Sequence, residues 1–131
     1  MASKHVTITL VGDAKEEYLR LKEIVAGEIK NGASSSFHQT LLRSIDSKFS
    51  ILTANCCYGV QLAKSHMPPK YDKYSLTNLW KVDLSGYWRM IYTLRQPQRE
   101  GAEIEIIEIF LDVLDIVDHP AYDKIFGYRK K

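Results

Sequence analysis

From Leu79 to Leu94 the chain reads LWKVDLSGYWRMIYTL, and few runs of this length leave so little freedom of fold. Its first arm sets Trp80, Val82 and Leu84 against Lys81, Asp83 and Ser85. Its second sets Trp88, Met90, Tyr92 and Leu94 against Arg89, Ile91 and Thr93. Period-two alternation of this kind describes two half-buried strands. Between them Ser85-Gly86 supplies a tight turn, with Gly86 free to take the positive φ that such turns require. Trp80, Trp88 and Tyr92 share the apolar phase and belong to the core, which leaves Tyr87 as the exposed ring. Lys81 and Arg89 stand on paired strands near one hairpin. Two readings of them stay open: solvated cations on the outer face of an antiparallel sheet, or a pair that grips an anion.

At 131 residues and 45% hydrophobic, residues 1–131 are expected to form a single domain with its own core. The opening MASKHVTITLVGDAKEE has an apolar run too short and too broken for a secretory signal or a membrane span. A cytoplasmic protein that engages no membrane is expected. The only cysteines, Cys56 and Cys57, are adjacent, a geometry that disfavours a disulfide between them. They read as reduced, packed thiols. None of His38, His66 and His119 stands near them in sequence, so neither a metal site nor a cofactor is expected.

Along the chain, His5–Val11 is β-branched and partly alternating and predicts a first strand. Asp13, with Glu16 three residues on, predicts a helix cap, and Tyr18, Leu21, Val25 and Ile29 recur on one helical face. Asn31-Gly32 ends that helix. Ser34-Ser35-Ser36 caps a second, whose stripe is Phe37, Leu41, Ile45, Phe49 and Leu52. So short a connection makes the two helices antiparallel, and their stripes need a sheet to cover. Ala63–Leu76 carries Pro68-Pro69 with Lys64, Lys70 and Lys73 and reads as a basic loop. After the hairpin, 96–101 is a longer turn and Glu103–Leu111 a last strand, whose consecutive Ile106-Ile107 predicts a bulge or burial on both sides. Asp118–Phe126 suits a terminal turn or helix, and Tyr128–Lys131 a basic tail. The expected fold is α+β: a three-strand C-terminal antiparallel meander joined by the N-terminal strand, with the helical hairpin on one face.

Charge is unevenly distributed. From Arg43 to Arg99 there are nine basic residues and three acidic, a net of +6, while Glu100–Asp123 holds eight acids and no Lys or Arg. The first block is a candidate polyanion surface, and the pair together suits a protein that docks a charged partner; solvated faces explain each block equally well.

Tyr87-Trp88-Arg89-Met90-Ile91-Tyr92 resembles the Tyr-Arg-hydrophobic-hydrophobic-Tyr hairpin signature of the RelE/ParE toxin superfamily, with a Trp inserted. Tyr58–Lys64 resembles the family's Gly-x-x-Leu-x-Lys segment through Gly59, Leu62 and Lys64. Ile104–Leu111 corresponds to its final core strand, and His119-Pro120-Ala121-Tyr122 to a His-x-x-Tyr ending. Active members place a second Arg or His just after the last strand, where this chain has Phe110–Asp115. The resemblance implies a RelE-like fold and the toxin of a type II toxin-antitoxin pair. As such it would cleave mRNA on the ribosome and be held inactive by a cognate antitoxin. The same resemblance allows a ParE-like gyrase inhibitor that cleaves nothing, or an inactive RNA-binding or interaction domain.

Cleavage of this kind needs no metal, since the RNA's own 2′-hydroxyl attacks the adjacent phosphate. A base, a cation and an acid are required. Arg89 is the expected cation, because guanidinium matches phosphate in a bidentate way and stays charged. Lys81 is a second phosphate clamp, or a base only if its surroundings lower its pKa. His119 suits acid or base duty, and Tyr122 orients or protonates the leaving oxygen. Lys64, Lys70 and Lys73 are candidates for RNA phosphates and Tyr87 for base stacking.

Overall fold

The structure, a computed structural model, describes residues 3–96 and 106–127, apart from the side chains of Ser3, His66, Ile106 and Ile107. The elements run β1 (Ser3–Leu10), α1 (Gly12–Lys30), α2 (Phe37–Ala54), β2 (Val60–Gln61), β3 (Trp80–Asp83), β4 (Arg89–Arg95), β5 (Ile106–Val117) and α3 (His119–Phe126). They build an α+β fold around one five-stranded sheet of order β1-β5-β4-β3-β2. The meander β3-β4-β5 is antiparallel as expected. The sheet as a whole is mixed, because β1 lies parallel to β5 in register from Ser3 opposite Ile106 to Leu10 opposite Val113. The helical hairpin sets this, carrying the chain away from the end of β1 to the far edge of the sheet before the meander begins. Residues 97–101 of the expected turn, Ile104 and the tail from Tyr128 lie outside the described residues.

Both helices form where the apolar spacing places them, with one change at a cap. Helix α1 starts at Gly12, so Val11 occupies the N-cap position and offers no side-chain oxygen; Asp13 sits inside the first turn instead. Ser36 caps α2, accepting from Gln39 N at 3.1 Å, and its own hydroxyl donates to Glu28 Oε1 at 2.6 Å. Tyr18 donates to Asp46 at 2.8 Å across the other end of the pair, which makes the hairpin antiparallel. Leu21 and Val25 of α1 and Leu41, Ile45 and Leu52 of α2 are buried against Val82, Met90, Tyr92, Leu111, Val113 and Ile116. Ile29 and Phe37, at the loop ends of the stripes, are exposed.

The other face of the sheet departs from the half-buried pattern. Ile91 and Thr93, in phase with Arg89, are buried, and Ile91 belongs to a second core with Tyr71, Leu79, Leu114 and Tyr122. The cover comes from the 64–76 segment, folded into short 3-10 turns at Lys64–His66 and Pro69–Tyr74, and from α3. A bulge supports this second core, at a different place from the one expected. Ile91 pairs with Asp115 and Tyr92 with Val113, which leaves Leu114 as the extra residue and turns both Leu114 and Asp115 toward the second face.

Asp115 is only 1% exposed. Lys70 Nζ reaches its two oxygens at 3.0 and 2.9 Å, and the Tyr71 hydroxyl donates to Oδ2 at 2.7 Å. Lys70 also pairs with Asp13 at 3.1 Å. Burial works to lower the Lys70 pKa, but the two carboxylates outweigh it and the net direction is up. Burial, reinforced by Asp115, pushes the Tyr71 phenol far above its usual range. The segment that reads as a solvated basic loop is therefore riveted to the sheet.

At the far edge, Tyr92 OH donates to Cys56 O at 3.0 Å and accepts from Gly59 N at 3.1 Å. A Cβ on Gly59 would stand 2.5 Å from both Tyr92 OH and Lys81 O, so the chain can pass here only as glycine. This close approach seats the two-residue strand β2, too short for any period to announce it. Among the described residues no helix is long and apolar enough to cross a membrane.

Asp115→Ala leaves the buried Tyr71 phenol without its acceptor and Lys70 with Asp13 alone, and is expected to lower unfolding free energy by about 2–3 kcal/mol. Tyr71→Phe, which leaves Lys70 on the carboxylate, is expected to cost about 1–2 kcal/mol; urea denaturation of both variants measures the difference. Burial also raises the Tyr92 phenol to about 12. A raised folded-state pKa contributes stability that is complete below the unfolded value near 10 and is lost as pH climbs through 12. Phenolate absorbance across that window should rise together with loss of structure.

Candidate functional site

The hairpin turn places Arg89. Gly86 takes φ +69° and Tyr87 φ +62°, and Leu84 N bonds Trp88 O at 2.8 Å. These constraints set Asp83 directly opposite Arg89, with Lys81 two residues back on the same face. From the other side comes α3. The Asp118 carboxylate caps it, accepting from Ala121 N at 3.0 Å, and Pro120 presets the first turn. The helix thus starts directly after β5 and folds back beside the hairpin.

There the side chains meet. Arg89 Nε donates to Asp83 Oδ1 at 3.3 Å, and its Nη1 stands 3.0 Å from His119 Nδ1. The guanidinium carbon lies 4.3 Å from the centre of the Tyr122 ring, and Lys81 Nζ lies 5.7 Å from the same centre. Lys81 is also 3.9 Å from Asp83 Oδ1, and His119 Nε2 is 3.3 Å from Asp123 Oδ2. The arginine and lysine side chains are 19% and 24% exposed, so neither is the freely solvated cation that an open sheet face would present. Tyr122 is buried beneath them, packed on Phe126 at 4.5 Å between ring centres. Its ring is a floor for two cations.

Arg89, Lys81, His119 and Tyr122, separated by up to 41 positions in the chain, are thus gathered in one cluster. The other candidates divide. Tyr87 is 81% exposed at the turn. Lys64 and Lys73 are exposed on the 64–76 segment, Lys73 lying 5.1 Å over the ring of Tyr74. Lys70 is engaged with Asp115 and Asp13.

Two further residues of the cluster, Asp83 and Asp123, are not among the sequence-predicted site residues. Asp123 carries a readable signal, since it lies four residues after His119 on a helix and so shares its face. The last strand also runs to Val117, beyond the expected Leu111, so the basic residue that follows it is His119. Within the acidic block three carboxylates have partners in the fold: Asp112 accepts from Arg95 at 2.7 Å, Asp115 from Lys70, and Asp118 caps α3. Arg99, Glu100, Glu103 and Glu105 lie outside the described residues. The cysteines are free thiols, Cys56 buried as expected and Cys57 exposed. Among the described residues, no group of three or more His, Cys, Asp or Glu side chains is arranged to hold a metal ion.

The chemistry open to the cluster follows from its exposures. Asp83 is 74% exposed, so its hold on Arg89 is a weak surface pair, and an incoming anion can replace it. No family model, no curated protein and no solved structure matches the chain.

Removing Asp83 takes away that competitor without touching the cations. Asp83→Asn is expected to tighten binding of inorganic phosphate by about two- to fivefold, the range an exposed pair commands. Calorimetric titration of the two proteins reads the change.

Proposed function

We propose that this protein is a RelE-like endoribonuclease, the toxin of a type II toxin-antitoxin pair, which cleaves mRNA on the ribosome by way of the RNA's own 2′-hydroxyl. One observation carries the reading: Arg89 of β4 and Lys81 of β3 lie over the ring of Tyr122, and Arg89 meets His119 at the start of α3. The resemblance of the hairpin and of the His-x-x-Tyr segment to that family supports it from the sequence side.

In this reading a scissile phosphate displaces Asp83 and takes the guanidinium fork of Arg89, whose fixed charge stabilises the extra negative charge of the phosphorane. Lys81, a point charge on the same ring, clamps a second phosphate oxygen. His119 supplies proton transfer. The buried Tyr122 works through its face, holding both cations at the place where charge develops. Tyr87, held at positive φ at the turn, offers a ring to an unpaired base. An antitoxin segment bearing carboxylates would silence the protein by occupying Arg89 and Lys81.

The test is primer-extension mapping of mRNA in a translation extract, with and without ribosomes, for the parent protein and Arg89→Ala. Losing the group that stabilises the phosphorane is expected to lower the cleavage rate about 10²- to 10³-fold. Cleavage at full rate without Arg89 rules the site out. Growth arrest that survives Arg89→Ala and tracks topoisomerase activity moves the protein to the ParE-like gyrase inhibitors.

A further inference from the structure

The contact between Arg89 and His119 fixes more than position. Arginine has five N–H donors and no acceptor, so at 3.0 Å from Nη1 the Nδ1 of His119 must be the accepting atom. A doubly protonated ring would set two donors against each other there. That contact calls for the ring to carry its proton on Nε2, which faces Asp123 Oδ2 at 3.3 Å. The neighbouring carboxylate of Asp118 is engaged with Ala121 N at the helix cap, which leaves Asp123 as the acid that holds the ring. Asp123 sits one helical turn after His119, so α3 itself sets the spacing.

We propose that Asp123 is a positioning residue which holds His119 in the Nε2–H tautomer, and that Arg89 masks the base at Nδ1 until a phosphodiester draws the guanidinium away. This inference rests on the nuclease reading of the cluster. The His119 side chain is 45% exposed, so the Nδ1 edge lies within reach of substrate once Arg89 turns. Phosphate oxygens take the fork, Nδ1 loses its donor, and the 2′-hydroxyl donates to it instead. The 2′-oxygen to phosphorus bond forms as the phosphorus to 5′-oxygen bond breaks. The 2′-hydroxyl proton passes to Nδ1, and the 5′-oxygen leaves with the bonding electron pair and takes a proton from water. Asp123 stabilises the imidazolium, which then returns its proton to solvent. The base is thus exposed only when a phosphate is in place.

Two measurements on the full chain test this. Nitrogen-15 NMR of the free protein, with His119 assigned by its absence from His119→Gln, is expected to show a protonated Nε2 and an unprotonated Nδ1. Single-turnover cleavage of mRNA on programmed ribosomes is expected to lose about a hundredfold in maximal rate in Asp123→Ala, the low end of what acid–base catalysis supplies. The half-saturating concentration should stay within about twofold. Asp123→Asn, whose amide oxygen can accept from Nε2–H, should recover part of the rate. A protein that cleaves RNA but carries its proton on Nδ1 overturns the inference and leaves the nuclease reading standing. So does an Asp123→Ala that cleaves at the parental rate. An Nε2–H ring in a protein that cuts no RNA overturns the nuclease reading, and the base role with it, while the tautomer assignment stands.

Discussion

A carboxylate cut off from water lies on the second face of the sheet, and the shape of the molecule around its candidate site follows from the need to satisfy it. Burying a carboxylate without partners costs several kcal/mol. Asp115 meets that cost with adjacent donors, the Lys70 ammonium and the Tyr71 hydroxyl. Because both donors come from one 3-10 turn, the 64–76 segment must lie across the sheet. With that cover in place Leu79, Ile91 and Leu114 become core. The same layer gives α3 apolar surface to dock on, and docking puts Tyr122 beneath Arg89. The bulge at Leu114 is the backbone device that makes this possible, since without the extra residue Leu114 and Asp115 would point to opposite faces.

The opposed charge blocks have a related cause. Read along the chain they suggest a basic surface beside an acidic one. In the fold part of that charge is matched internally, Lys70 by Asp115 and Arg95 by Asp112. The hairpin end differs in degree. There the acid facing Arg89 and Lys81 is the well-exposed Asp83, whose attraction water already screens. Sequence-level charge counts weigh Lys70 and Arg89 equally, whereas the main acid partner of one is buried and that of the other is exposed.

The hairpin, its turn at Gly86 and both helical stripes were legible because each depends on local period and on residues with one conformational role. The burial of the second face was not, although Ile91 and Thr93 in the phase of Arg89 carried a trace of it. Period reports that a strand has an apolar side and says less about what covers the other side, which here comes from a segment without any period. The start of α1 was misplaced because Asp13 looks like a cap, yet its carboxylate has a distant partner in Lys70. Strand β2 exists only because Gly59 slips past Tyr92, a contact between positions 33 apart. Arg89, Lys81, His119 and Tyr122 stand out singly in the sequence, by chemical type and by the family resemblance, with nothing local to say that they meet. Their assembly depends on where β5 ends, and that end was misjudged because the strand continues through the acids Asp112 and Asp115.

Placing two cations near one another is itself unfavourable, and the site resolves this without a strong counter-ion. The face of the Tyr122 ring is electron-rich, and Arg89 and Lys81 both lie over it. A buried carboxylate in the same place would neutralise the cations and be hard to displace. An aromatic floor attracts them and adds no net charge. Asp83 then supplies the rest of the compensation from an exposed position, where an anion with more charge and better geometry can take over. On the proposed nuclease reading, such an arrangement would hold the cations near a phosphate and give up its exposed partner to it, the kind of preorganisation that electrostatic stabilisation of a phosphorane requires.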